Sequence, residues 1–99
     1  TVKKAEVPEW SHWVMKLNVD FGKEIGERVI FAGIMKWYKP EDLEKKQFPF
    51  VVNIKPKKIG PEGDKSCGML MAADVGEGED ERCILFSLQK KVPNGTKVR

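Results

Sequence analysis

Between Trp13 and Phe21 the chain reads WVMKLNVDF, with a large apolar residue at every second position. A period of two puts Trp13, Met15, Leu17, Val19 and Phe21 on one face of a strand and mostly polar residues on the other. A helix would scatter the same residues around its circumference. One face must be covered and the other left wet, which points to antiparallel pairing over a single core.

The rest of the chain supplies the partners for that strand. Val2 to Val7 forms a first strand stopped by Pro8. Gly22 and Gly26 bracket a turn over Lys23, Glu24 and Ile25 into a third run, Arg28 to Ile34. In Pro40 to Lys46, proline opens, acids follow and lysines close, as a short helix of about two turns requires at its ends. Phe48 to Ile54 is a fourth strand whose Pro49 keeps its start off a central ladder position. Cys67 to Ala73 and Cys83 to Leu88 follow as a fifth and a sixth, and Pro93 to Thr96 is a turn. This order gives an all-β domain over residues 1–99, a five-stranded Greek-key barrel of the OB-fold type. One short helix lies between strands 3 and 4, and an additional C-terminal strand ends the chain. Closure would seal the sheet edges. In such barrels oligonucleotides meet the face of strands 2 and 3 and the loops joining strands 1–2 and 4–5. Here the strand 4–5 loop runs from Lys55 to Ser66.

Charge is distributed unevenly. The net charge is +3, but residues 74–82 are strongly acidic while Lys90, Lys91, Lys97 and Arg99 close the chain with no acid among them. One acidic tip and a basic remainder suit a polyanionic partner. Two cysteines and one histidine fall short of the roughly four ligands of a zinc site, so no metal or other cofactor is expected, and both thiols read as buried and free, with a single disulfide as the alternative. No apolar run approaches the ~20 residues of a membrane span, and no signal-peptide pattern opens the chain. A first residue Thr1 leading straight into a strand reads as a segment of a longer protein. No phosphate loop, nucleophile elbow or paired carboxylate motif appears, and an enzyme is not expected.

The strand 4–5 loop holds the densest chemistry. Lys55, Lys57 and Lys58 surround Pro56, which fixes its own φ and keeps Lys55 extended, so little freedom is lost when the ammonium groups meet phosphates. Asn53 offers an amide to a base edge or ribose hydroxyl, Ser66 a hydroxyl, and Met69 a soft surface for a base. Gly68 permits another backbone or a nucleotide to come close. Arg28, Lys65 and Lys3 are further cations for the backbone. Trp10 and Trp37 either stack on a partner or pack inside.

The stretches "VVNIKPKKI" and "SCGMLMAAD", with "VDFG", "PEDLEKKQF" and "VPNGTKVR" in register, resemble the tRNA-binding OB-fold domain family. That family includes free-standing tRNA-binding proteins and the C-terminal domain of methionyl-tRNA synthetases, and its secretion-chaperone-like branch is similar to the front half. The resemblance covers nearly the whole chain. It implies a cytoplasmic, non-catalytic module that holds tRNA by shape, with Asn53, Lys55, Lys57, Lys58, Ser66 and Met69 at the RNA. It also implies a homodimer formed near the chain ends (Val92 to Val98 and the first strand), and a synthetase catalytic domain as a companion in the same chain. Two features depart from the pattern. The loop is about two residues longer between Ile59 and Ser66, where Pro61, Glu62 and Asp64 add rigidity and negative charge beside the lysines, and the first loop, Pro8 to Trp13, carries no lysine. The alternative is a chaperone-like dimer holding peptides in a groove lined by Trp10 and Trp37.

Overall fold

The computed structural model describes residues 1–98; Arg99 of the basic tail lies outside them. The chain is all-β. Strands β1 (Val2–Glu6), β2 (Met15–Asp20) and β3 (Glu27–Ala32) form an antiparallel sheet in that order. Met15, Leu17 and Val19 alternate into the core as the sequence period requires, and Leu17 pairs with Ile30 across the ladder. A single helical turn, α1 (Gly22–Ile25), joins β2 to β3, and α2 (Pro40–Leu43) follows β3. Then come β4 (Phe50–Val51), β5 (Lys57–Ile59), β6 (Asp64–Ser66), β7 (Met69–Leu70), β8 (Ala72–Val75) and β9 (Arg82–Leu85).

The expected order of strands and the helix between the third and fourth are present, but the ladders are shorter and separate. β4 pairs with β7, β5 with β6, and β8 with β9, each as a two-stranded ladder. The fifth strand is broken at Met71, whose amide turns to the carbonyl of Pro49 (3.1 Å). β3 joins the first sheet to the second half through the Cys67 amide, which donates to the Val29 carbonyl at 2.8 Å. Among the described residues no continuous ladder seals every edge.

Two local expectations are corrected. Trp13 leaves the core face and is 62% exposed. The Ser11 hydroxyl accepts from the amides of Trp13 (3.2 Å) and Val14 (2.8 Å). The chain is therefore still turning at Trp13, and alternation begins only at Met15. Likewise α2 stops at Leu43 instead of running to Lys46. The Lys45 amide donates to Val2 O (2.7 Å) and the Val2 amide to Lys46 O (2.9 Å). Pairing with β1 thus outcompetes two more residues of an already marginal helix.

Val2, Met15, Leu17, Val19, Ile30 and Leu43 are wholly buried, and Leu70 and Cys83 close the same cluster. Each large apolar side chain contributes about 1.5–3 kcal/mol by leaving water. Phe21 meets Phe50 edge to face at 5.3 Å, and Tyr38 ties β9 to the core by donating to Cys83 O at 2.8 Å. Both cysteines are free, but only Cys83 is buried; Cys67 is half-buried. Burial, then the carboxylates of Asp74 and Glu81, pushes the Cys83 thiol up and keeps it protonated.

Gly68 is the tightest point of the seam. A Cβ there would lie 2.8 Å from Ile30 Cδ1 and 2.9 Å from the Val51 carbonyl oxygen. The close approach expected at Gly68 is thus to the protein's own strand. Gly68→Ala should lower stability by roughly 1–3 kcal/mol in urea denaturation, since a backbone carbonyl cannot step aside. An unchanged midpoint would mean the seam is looser than its geometry.

Candidate nucleic-acid interface

The segment expected as an irregular loop from Lys55 to Ser66 is a β-hairpin. Lys57 pairs with Ser66, Lys58 with Lys65 and Ile59 with Asp64. The sequence carried the signal: Lys57-Lys58-Ile59 and Asp64-Lys65-Ser66 flank a four-residue turn with glycine at each end. Directly opposed residues share a face, so Lys58 and Lys65 stand together on one side and Lys57 with Ser66 on the other. Like charges placed opposite one another are unfavourable in a ladder. None of Lys55, Lys57, Lys58 and Lys65 is in a salt bridge among the described residues, and all are exposed. The hairpin therefore holds four lysines free of direct ion pairs, with a net charge still positive beside Glu62 and Asp64.

Three contacts hold it against the body of the domain. At its tip, Gly60 adopts φ +82°, and a Cβ there would meet the Trp10 ring at 2.6 Å. The indole also lies 6.0 Å from the Phe31 ring, centroid to centroid. Along the hairpin, the Ser66 hydroxyl accepts from the Phe31 amide (2.9 Å) and donates to Gly68 O (3.1 Å). At its base, Arg28 Nη1 donates to Val52 O (2.7 Å) and Cys67 O (3.3 Å), the carbonyls just before and just after the inserted segment.

These contacts redistribute the expected site. Asn53 is exposed at the end of β4, and Met69 is 57% exposed, its neighbour Leu70 turning inward. Ser66 is buried, with both capacities of its hydroxyl used inside the fold, so its geometry is that of a brace and not of a sugar contact. Arg28 has one guanidinium nitrogen engaged by carbonyls and lies at the hairpin base, not on its open face. Lys3 pairs with Glu27 at 3.3 Å on the surface. Within one chain Trp10 supports the hairpin, and Trp37 Nε1 donates to Glu81 O at 3.2 Å while its ring packs on the core. The bracing roles of Trp10, Ser66 and Arg28 were not legible, since each depends on contacts between residues 24 to 50 positions apart, which local pattern does not reveal.

A different depression, about 740 Å³, lies between Phe50, Met71, Leu88, Pro93 and Val98, with Asn53 at its edge. Among the described residues no group of three histidine, cysteine or acidic side chains could hold a metal, and no helix is long and apolar enough to cross a membrane.

Removing the guanidinium should loosen the hairpin selectively. In Arg28→Met, two carbonyls lose their shared donor, and a stability loss of roughly 1–2 kcal/mol follows. Amide exchange across residues 53–67 should accelerate while β1 and β2 keep their protection. Uniform acceleration, or none, would deny Arg28 that local role.

Comparison with known proteins bears on this arrangement. Residues 1–97 match the family described as "Putative tRNA binding domain". A methionine–tRNA ligase of Pyrococcus horikoshii is 45% identical over 83 residues, which are 84% of this chain and 10% of that protein. A methionine–tRNA ligase of Methanothrix thermoacetophila is 41% identical over 99 residues, covering 100% of this chain and 14% of the relative. The chain thus spans only a small fraction of the length of these relatives. Among solved structures, a MetRS-related protein from Pyrococcus horikoshii aligns with a TM-score of 0.83 and 45% identity over 99% of this chain and 84% of that one. The chaperone CsaA from Bacillus anthracis aligns at 0.79 and 35% identity over 100% and 85%. With the family match running almost end to end, the chain belongs to the tRNA-binding domain family.

Proposed function

We propose that this domain is a non-catalytic tRNA-binding module that grips folded RNA through the braced lysine hairpin. The observation that carries the reading is the opposition of Lys58 and Lys65 on one face of a ladder, neither of them in a salt bridge among the described residues although Glu62 and Asp64 lie in the same hairpin. A protein that only needed a hairpin there would gain stability from an opposite charge at either position. A polyanion relieves the repulsion. Lys55, Lys57, Lys58 and Lys65 neutralise phosphates, Asn53 reaches a sugar or base edge, and exposed Met69 gives a base a soft surface. Lysines are point charges without the planar fork of arginine, which suits recognition by shape over recognition by sequence.

The cytoplasm is the setting, either as a free-standing protein or as an appendage of a methionyl-tRNA synthetase, in line with the names of the relatives. A homodimer fits the apolar depression at Phe50, Met71, Leu88 and Val98, next to the segment Val92 to Val98. The same depression, with the resemblance to CsaA, favours a second reading in which a peptide occupies it. Peptide binding there would be indifferent to salt and disrupted by Leu88→Ser, with the lysines irrelevant.

Titration with bulk tRNA over a range of salt tests the main reading. Each phosphate neutralised contributes about 0.7–0.9 to the slope of log affinity against log salt. Lys58→Ala with Lys65→Ala should weaken all tRNAs alike and flatten the slope by roughly 1.5. Lys65→Glu should bind worst of all yet melt higher than the parent, because it replaces repulsion by attraction across the ladder. A wild-type affinity that ignores salt, or lysine changes that reorder preference among tRNAs, would overturn shape-based gripping by this hairpin.

A further inference from the structure

A second cluster of cations lies away from the hairpin. Lys45 and Lys46 follow α2, and Lys90 and Lys91 follow β9; all four line one depression of about 350 Å³ together with Gln47 and Ser87. No carboxylate lines it, and none of the four lysines is in a salt bridge among the described residues. Four like charges in one concavity repel each other, so something must hold them there.

Two features do. Gln47, the residue after the first lysine pair, clasps Val92, the residue after the second. Its Oε1 accepts from the Val92 amide at 3.0 Å, and its Nε2 donates to the Val92 carbonyl at 2.6 Å. A side-chain amide thus substitutes for a strand and sets the two dilysines side by side. The second feature is the fastening of Lys45 and Lys46 to Val2, which is firm enough to sustain backbone strain. Lys45 has φ 67°, the only non-glycine residue of the described chain in the left-handed region. Such a conformation costs on the order of 1–2 kcal/mol, and it persists because Lys45 and Lys46 are fastened to Val2 on both sides. Backbone strain of this kind concentrates where a surface has a task beyond folding.

We infer that the groove between Lys45–Lys46 and Lys90–Lys91 is a second RNA contact, holding the phosphodiester backbone of the same molecule that the hairpin grips. This rests on the tRNA-binding reading. Separate ammonium groups on flexible stems offer no cradle of amides or guanidinium fork for one small anion, but they suit a chain of phosphates, which they hold by releasing counterions. The two contacts are within reach of one RNA. Gln47, Phe48 and Leu88 border both this groove and the depression that ends at Asn53. Phe48 and Asn53 are five residues apart, so no more than about 18 Å separates their Cα atoms. The first loop has no lysine to offer; these four supply a second point of attachment from the opposite end of the Phe48–Asn53 segment.

The test uses bulk tRNA and the full chain in four forms. These are the parent, the hairpin variant (Lys58→Ala, Lys65→Ala), the groove variant (Lys45→Ala, Lys46→Ala, Lys90→Ala, Lys91→Ala) and a control lacking exposed charge elsewhere (Lys23→Ala, Lys39→Ala). All six other substitutions are, like Lys58 and Lys65, at exposed side chains, so each protein should fold. The groove variant should lose about 3 units of salt slope, at ~0.7–0.9 per phosphate, and that loss should add to the hairpin's. The control should lose almost none. In lysine acetylation footprinting of the parent, tRNA should protect Lys45, Lys46, Lys90 and Lys91. A steep slope in the parent that the groove variant leaves unchanged, or that the control lowers per charge just as much, overturns the second contact while leaving the hairpin intact. A flat slope in the parent overturns both.

Discussion

One guanidinium nitrogen closes the point where three parts of the chain converge. Arg28 projects from β3, an edge strand of the first sheet, and its Nη1 bridges the carbonyls of Val52 and Cys67, which bound the whole inserted hairpin. Without that bridge the segment would keep its ties at Gly60, Ser66 and Cys67 but lose the one contact that joins its two roots. With it, the hairpin is a rigid limb with both roots fixed. A carbonyl pair facing one cation is stronger than two neutral hydrogen bonds. The bridge therefore uses a charge that could have met RNA directly to fix the aim of four that do not need to move.

The division of labour follows from placement. Residues with the right chemistry for recognition but buried hydrogen bonds, Ser66 above all, act on the shape of the site. Residues with no internal partner, the hairpin lysines, are the ones that the proposed function assigns to the ligand. A fixed hairpin lowers the ordering cost of association, because the backbone is already set and only the lysine rotamers remain to be frozen. It also explains how lysines, long and mobile as they are, serve in a site with so few other polar groups.

What the sequence made legible was whatever depends on local pattern. The alternation Met15, Leu17, Val19 set the central strand, the Pro40-Glu41-Asp42 start placed the helix, and the clustering of Lys55, Lys57 and Lys58 around Pro56 located the basic limb. What it hid was decided at a distance. Nothing near Lys45 says that Val2 will capture the chain and cut the helix short. Nothing near Trp13 says that a serine hydroxyl two residues earlier will turn its ring to solvent. Opposed lysines at positions 58 and 65 become visible only once the turn between them is counted as four residues, a step that pattern supports but register must settle.

The indole of Trp10 seated on Gly60 has a consequence for how this surface can change over time. Any side chain at position 60 would collide with the ring, and a smaller residue at position 10 would leave the tip of the limb without a floor. Either change alone would unsettle the tip of the limb, and restoring its seat would take a matching change at the other position.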